Sequence, residues 1–152
     1  MSIILTMKKI GLISDTHSYF NSKVNEYFKQ VDEIWHAGDI GKLQVLEALN
    51  NIAPTKAVWG NIDMPGVRKQ LEEEEIFKCE EVKVLMLHIA GYPGRYNKRT
   101  YHLCKKHQPD LVICGHSHIL KVMRDHHLNH LHMNPGAAGQ GGHPKKMYGY
   151  SF

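Results

Sequence analysis

Six short polar clusters stand in order along this 152-residue chain: Asp15-Thr16-His17, Gly38-Asp39, Gly60-Asn61, His88, Gly115-His116-Ser117-His118 and Asn134-Pro135-Gly136. The first five offer carboxylate, imidazole and side-chain amide, with no thiolate among them. Such a set suits Mn²⁺, Fe or Zn²⁺ in five- or six-coordinate geometry with solvent, and Ni²⁺ is a further candidate. Asp15, His17, Asp39, Asn61, His88, His116 and His118 are together enough donors for two divalent cations. Paired cations in a site of this kind point to chemistry on a phosphate ester.

Donors spread over a hundred residues act together only if the fold gathers their positions. Most of the clusters directly follow an apolar, β-branched run. That is the pattern expected when the carboxyl ends of several strands meet, the edge where open α/β sheets bind ligands. Taken singly, the clusters are weak signals, since Gly-Asp and Gly-Asn are ordinary turn chemistry.

The elements that must do the gathering are legible as periodicity. Residues 9–14, 33–37 and 56–59 read as buried strands, separated by helices over residues 22–30 and 43–50. On the second helix Leu43, Leu46 and Leu49 share a face. This βαβαβ rhythm implies a parallel sheet with helical crossovers. Residues 74–79 and 82–87 read as a hairpin, 98–107 as a short basic helix stopped before Pro109, 111–114 as a buried strand, and 121–124 with 130–133 as a second hairpin.

Composition fits one domain over residues 1–152, with 42% apolar and 22% charged residues and a formal charge of +4. No dense Lys/Arg stripe accompanies that charge, so a nucleic-acid partner is not expected. No apolar run approaches the roughly 20 residues that span a bilayer. Cys79, Cys104 and Cys114 show no CxxC spacing and no export signal precedes the first strand, which points to reduced thiols and a cytoplasmic location. Met7-Lys8-Lys9 is a natural start, so residues 1–6 read as an extension.

In their order, the motifs D-x-H, G-D, G-N, H and G-H-x-H resemble the signature of the calcineurin-like metallophosphoesterases, and most of all the small YfcE-type phosphodiesterases. The resemblance covers roughly residues 8–139. It implies a four-layer α/β/β/α sandwich. It also implies that Asp15, His17, Asp39 and His118 hold one metal and that Asp39, Asn61, His88 and His116 hold the other, with Asp39 bridging. The implied reaction is hydrolysis of a small phosphodiester by a hydroxide shared between the two metals, with Mn²⁺ the favoured ion. Asp39, Asn61 and His118 are then the residues at the reacting centre, and Asn61 also orients the phosphate.

Two departures from the family pattern stand out. Many relatives carry a histidine after the G-N pair, thought to protonate the leaving group; here Ile62 follows, and Asp63 comes next. Asp63 is expected to hold a metal-bound histidine in its tautomer. The ending after Asn134-Pro135-Gly136 is expected to be short, leaving a sheet edge through which a homo-oligomer could form. Tyr92, Arg95, Lys98 and Arg99 are expected near the substrate entrance, and the Asn-Pro-Gly turn beside the site. Two other readings of the same fold are a non-catalytic protein-binding scaffold, like the retromer subunit that resembles these enzymes, and a phosphomonoesterase or cyclic-nucleotide hydrolase.

Overall fold

The computed structural model describes residues 7–139; the expected extension over residues 1–6 and the ending over residues 140–152 lie outside them. The described chain runs β1 (Ile10–Ile13), α1 (Lys23–Phe28), β2 (Glu33–His36), α2 (Leu43–Asn50), β3 (Thr55–Ala57), α3 (Pro65–Arg68), β4 (Glu74–Cys79), β5 (Val82–Leu87), α4 (Lys98–His107), β6 (Leu111–Ile113), β7 (Leu120–Asp125) and β8 (His130–Pro135). The first three strands form a parallel sheet in the order β1-β2-β3. The rest form a mixed sheet in the order β4-β5-β6-β8-β7, in which β5, β6 and β8 are mutually parallel and β4 and β7 pair antiparallel at the edges.

Strand alternation assigns the layers, because successive side chains leave opposite faces of a sheet. Ile13 and Ile34 point to α1 and α2, packing with Val24, Phe28, Val45, Leu46 and Leu49. Leu12 and Trp35 point the other way and meet Val84, Met86, Leu111 and Ile113 of the second sheet. Leu85, Leu87 and Val112 face outward again and pack with Cys104 of α4. These three apolar clusters fill the three spaces of an α/β/β/α sandwich. Burial on both faces explains why β1 and β6 read as continuous apolar runs rather than as alternation.

The β4–β5 hairpin, α2 and α4 occupy the residues that periodicity assigns to them. Asn97 caps α4, its side-chain oxygen accepting the Thr100 N–H at 2.8 Å. The short helix α3 escapes periodicity, because four residues hold too little pattern; Pro65 at its first position is the only local cue. Because β1, β2, β3, β5 and β6 run parallel within their sheets, their carboxyl ends lead into Asp15, Asp39, Asn61, His88 and His116 respectively.

Candidate metal centre

The loops that leave the strands are stitched to one another before any side chain takes part. The backbone N–H groups of Asp15, His17 and Ser18 donate to the carbonyls of Gly38, Asp39 and Ile40, and the Gly115 N–H donates to His88 O. Five of the seven donors, Asp15, His17, Asp39, His116 and His118, have positive φ between 47° and 72°. Non-glycine residues rarely take that conformation, and their concentration at one site marks backbone strain sustained by its surroundings. In the G-D turn both Gly38 (97°) and Asp39 (55°) have positive φ, whereas neither residue of the G-N turn does.

Two donor groups result, Asp15–His17–His118 and Asp39–His88–His116, each with its ligand atoms within 4.8 Å of one another. His118 Nε2 stands 3.2 Å and His17 Nε2 3.8 Å from Asp15 Oδ1. His88 Nε2 stands 3.2 Å from Asp39 Oδ1. Asn61 joins the second group, its Oδ1 3.0 Å from His116 Nδ1. Asp39 touches both groups: Oδ1 faces His88, and Oδ2 lies 3.5 Å from His17 Nε2. In each group two imidazoles meet edge-on at 79°, with centroids 5.3 Å apart.

The hydrogen bonds around the donors leave selected atoms free. Asp15 Oδ2 accepts from the Ser14 hydroxyl at 2.6 Å and from His116 N–H at 3.1 Å, so Oδ1 remains. His88 Nδ1 donates to Ala37 O at 2.8 Å, which fixes the tautomer and leaves the Nε2 lone pair facing the two aspartates. Asp15 Oδ1, His17 Nε2 and His88 Nε2 are buried and have no hydrogen-bond partner. Buried polar atoms in folded proteins are almost always satisfied, so three orphans within the two donor groups have the character of ligands for a cation. The local field agrees. Burial pushes the His88 imidazole down, but Asp39 and Asp15 outweigh it and hold His88 above its ordinary value. Burial likewise pushes the Asp39 carboxyl up, yet contacts with His88 and the Ile62 N–H leave it below the usual carboxylate range. Carboxylate and imidazole in each group, with the Asn61 amide oxygen added in the second, fit divalent cations.

Two glycines are dictated by close approach. A Cβ at Gly60 would lie 2.1 Å from Asp39 Oδ1, and one at Gly115 would lie 2.1 Å from Ser14 Oγ and 2.6 Å from Asp15 Oδ2. Gly60 is therefore set by the Asp39 carboxylate packed against it, and Gly115 by the Ser14 hydroxyl together with the Asp15 carboxylate.

Several side chains behave otherwise than their sequence context implies. Asp63 orients no histidine. Its carboxylate accepts from the N–H groups of Ile40 (3.2 Å), Gly41 (2.8 Å) and Gly60 (2.8 Å), clamping the Asp39 loop to the Asn61 loop. Arg99 lines a cleft beside Asn61 and His88, but its guanidinium is paired with Glu73 and Glu74. Asn134 is more than a turn residue: its amide donates to Gly115 O (2.9 Å) and Ser117 Oγ (3.1 Å), holding the loop that carries His116 and His118.

His130 and His132 are buried on either side of the Tyr96 hydroxyl, each 2.8 Å from it, and belong to the scaffold. Cys114 is buried with its thiol pushed up to about 12 by desolvation, which removes it as a nucleophile.

Ser14 and His36 are supporting residues that motif reading passes over. His36 is fully buried, accepts from Gly38 N–H through Nδ1 (3.1 Å) and donates from Nε2 to Thr16 Oγ1 (3.0 Å). Its signal in the sequence is a histidine inside the apolar run Ile34-Trp35-His36-Ala37.

The profile of the calcineurin-like phosphoesterase superfamily domain matches residues 7–151. A probable metallophosphoesterase of Methanothermobacter thermautotrophicus is 31% identical over 136 residues, 84% of this chain and 76% of that protein. Among solved structures, a novel archaeal phosphodiesterase superposes with a TM-score of 0.73 at 22% identity, covering 95% of this chain and 98% of that one. Vacuolar Protein Sorting 29 of Cryptosporidium parvum superposes with a TM-score of 0.71 at 20% identity, covering 87% of this chain and 75% of that one. Fold and donor set thus define an α/β/β/α domain of the metallophosphoesterase type. The chain belongs to the calcineurin-like phosphoesterase superfamily. Among the described residues no helix is long and apolar enough to cross a membrane.

Proposed function

We propose that this chain, folded as one domain, hydrolyses small phosphodiesters at two divalent cations. Asp15, His17, Asp39 and His118 hold one, and Asp39, Asn61, His88 and His116 hold the other. The observation that carries the reading is the trio of buried, unpaired atoms Asp15 Oδ1, His17 Nε2 and His88 Nε2. When bound, the cations supply positive charge to the phosphoryl oxygens and lower the pKa of coordinated water.

The protein's own contribution is placement. Ser14 and His116 N–H fix Asp15, Ala37 O fixes the His88 tautomer, and Asp39 presents one oxygen to each group. Asn61 orients the phosphate. Ile62 replaces the histidine of many relatives and carries no proton, so the leaving group departs without acid help. Such help is worth roughly 10²–10⁴ in rate, and acidic aryl leaving groups should therefore be preferred over alkyl ones. Mn²⁺ is the proposed ion, with Ni²⁺, Fe and Zn²⁺ as alternatives. The free thiols of Cys79, Cys104 and Cys114 support a cytoplasmic location.

The test is metal reconstitution followed by a panel of aryl diesters and alkyl monoesters, with Asp39→Asn as control. Turnover of aryl diesters, absent in Asp39→Asn, is expected. Wild-type rates in Asp39→Asn would refute the bridging role, and preference for alkyl monoesters would refute the leaving-group argument. The superposition with Vacuolar Protein Sorting 29 supports a second reading, a protein-binding scaffold, which takes precedence if the metal-loaded protein turns over no ester.

A further inference from the structure

Three isoleucines immediately follow three of the donors: Ile62 after Asn61, Ile89 after His88 and Ile119 after His118. They are 39%, 43% and 60% exposed. A single exposed isoleucine needs no explanation, but three that each stand one residue past a donor of the same centre place exposed apolar side chains at its edge, and exposed apolar surface beside a site marks binding. The Ile62 N–H donates to Asp39 Oδ1 at 3.1 Å, so its backbone belongs to the centre itself. Ile89 lines a cleft of about 70 Å³ together with Trp59, Asn61 and His88. Tyr92, 39% exposed, lies beneath the Lys121 ammonium, 4.1 Å from the ring centroid. That contact joins the loop after His88 to β7, the strand that begins one residue after Ile119. The loops after β3, β5 and β6 that carry these isoleucines are thus tied together at the donors, Asn61 Oδ1 to His116 Nδ1 at 3.0 Å and Tyr92 to Lys121.

A site for a strongly polar ester group would present free cations or amides at these positions. Arg99 in the cleft is already paired with Glu73 and Glu74, and the residues following Asn61, His88 and His118 have no polar side-chain atom.

We propose that Ile62, Ile89 and Ile119 form an apolar rim that receives the non-leaving ester group of the substrate, selecting phosphodiesters with an aryl or similarly bulky apolar substituent. This rests on the phosphodiesterase reading above and adds the substrate class. In the hydrolysis, a bond forms between water oxygen and phosphorus and the bond to the leaving oxygen breaks. The water proton passes to solvent, and the rim group stays on the phosphomonoester product.

The experiment holds the leaving group constant. Mn²⁺-loaded protein is given phenyl 4-nitrophenyl phosphate or methyl 4-nitrophenyl phosphate, and the ratio of kcat/KM values is divided by the ratio of uncatalysed rates. A corrected ratio of about tenfold or more in favour of phenyl is expected, from the usual discrimination of an apolar pocket. Ile89→Ser and Ile119→Ser should each lower that ratio about threefold or more. Val82→Ser, which replaces an exposed apolar residue at the start of β5, should leave it unchanged. Phenylphosphonate should inhibit about tenfold more tightly than methylphosphonate. Turnover of both diesters at a corrected ratio near one, with equal inhibition, overturns the rim alone. Absence of turnover of either diester overturns the phosphodiesterase reading and the rim with it.

Discussion

Asp63→Ala should damage this protein in two measurable ways. The carboxylate accepts three backbone N–H groups, from Ile40, Gly41 and Gly60, and the residue is only 3% exposed. Removing it orphans two N–H groups, those of Ile40 and Gly60, in bonds that are fully buried, and a third that is partly buried. A buried unsatisfied donor costs about 1–3 kcal/mol, and water entering the vacated space recovers part of that. A net loss of about 3 kcal/mol follows, or about 10 °C in Tm for a chain of this size. The clamp also sets the distance between the loops carrying Asp39 and Asn61, so Mn²⁺ affinity should fall about 10- to 100-fold. Asp63→Asn keeps the shape but turns an amide toward one of the donors, and should lie between wild type and alanine. Thermal unfolding of the metal-free proteins reads the first effect and calorimetric Mn²⁺ titration the second. A metal-free Asp63→Ala protein melting within about 2 °C of wild type would refute the clamp.

Two further expectations follow from the same geometry. Gly60→Ala should abolish binding at the second donor group although Gly60 offers no ligand, because its Cβ would meet Asp39 Oδ1 at 2.1 Å; unchanged Mn²⁺ stoichiometry in a folded variant would contradict this. The metal-free protein should lose stability in mild acid. Burial pushes His36 down to about 3 and His132 down to about 4, so the unfolded chain binds more protons than the folded one below pH 6.5. Their contribution is complete above 6.5 and is lost as pH falls toward 4 and then 3, by at most about 1.4 kcal/mol per pH unit for each group. His130 is shifted the same way and His88 the opposite way, so three groups oppose one. Urea unfolding that is flat between pH 7.5 and 5 would contradict the sign.

The extent to which the sequence foretells this structure differs by level. The β4–β5 hairpin, α2 and α4 stand where hydrophobic periodicity sets them, because each is long enough to show its period. The division into two sheets is not in the periodicity, since pairing β6 with β8 rather than with β7 is decided by contacts distant in sequence. At the centre, residue types and order announce the donors; the support does not announce itself. Asp63 reads as a partner for a histidine and turns out to bind backbone, because loop proximity cannot be read from one strand at a time. His130 and His132 fall in the second strand of the expected 121–133 hairpin, where nothing in the sequence announces that both are buried against the Tyr96 hydroxyl, which arrives from the loop before α4. The positive φ values at Asp15, His17, Asp39, His116 and His118 are only weakly signalled by residue type, since Asp and His tolerate that region better than most side chains but seldom occupy it.

The central claim is that the seven donors hold two cations. Mn²⁺ titration of chelator-stripped protein, with bound metal counted by elemental analysis, tests it directly. The account predicts two ions per chain in wild type, with both sites weakened by Asp39→Asn because its carboxylate faces both groups. A stoichiometry of one or none, or an Asp39→Asn protein that still binds two ions with wild-type affinity, would contradict it.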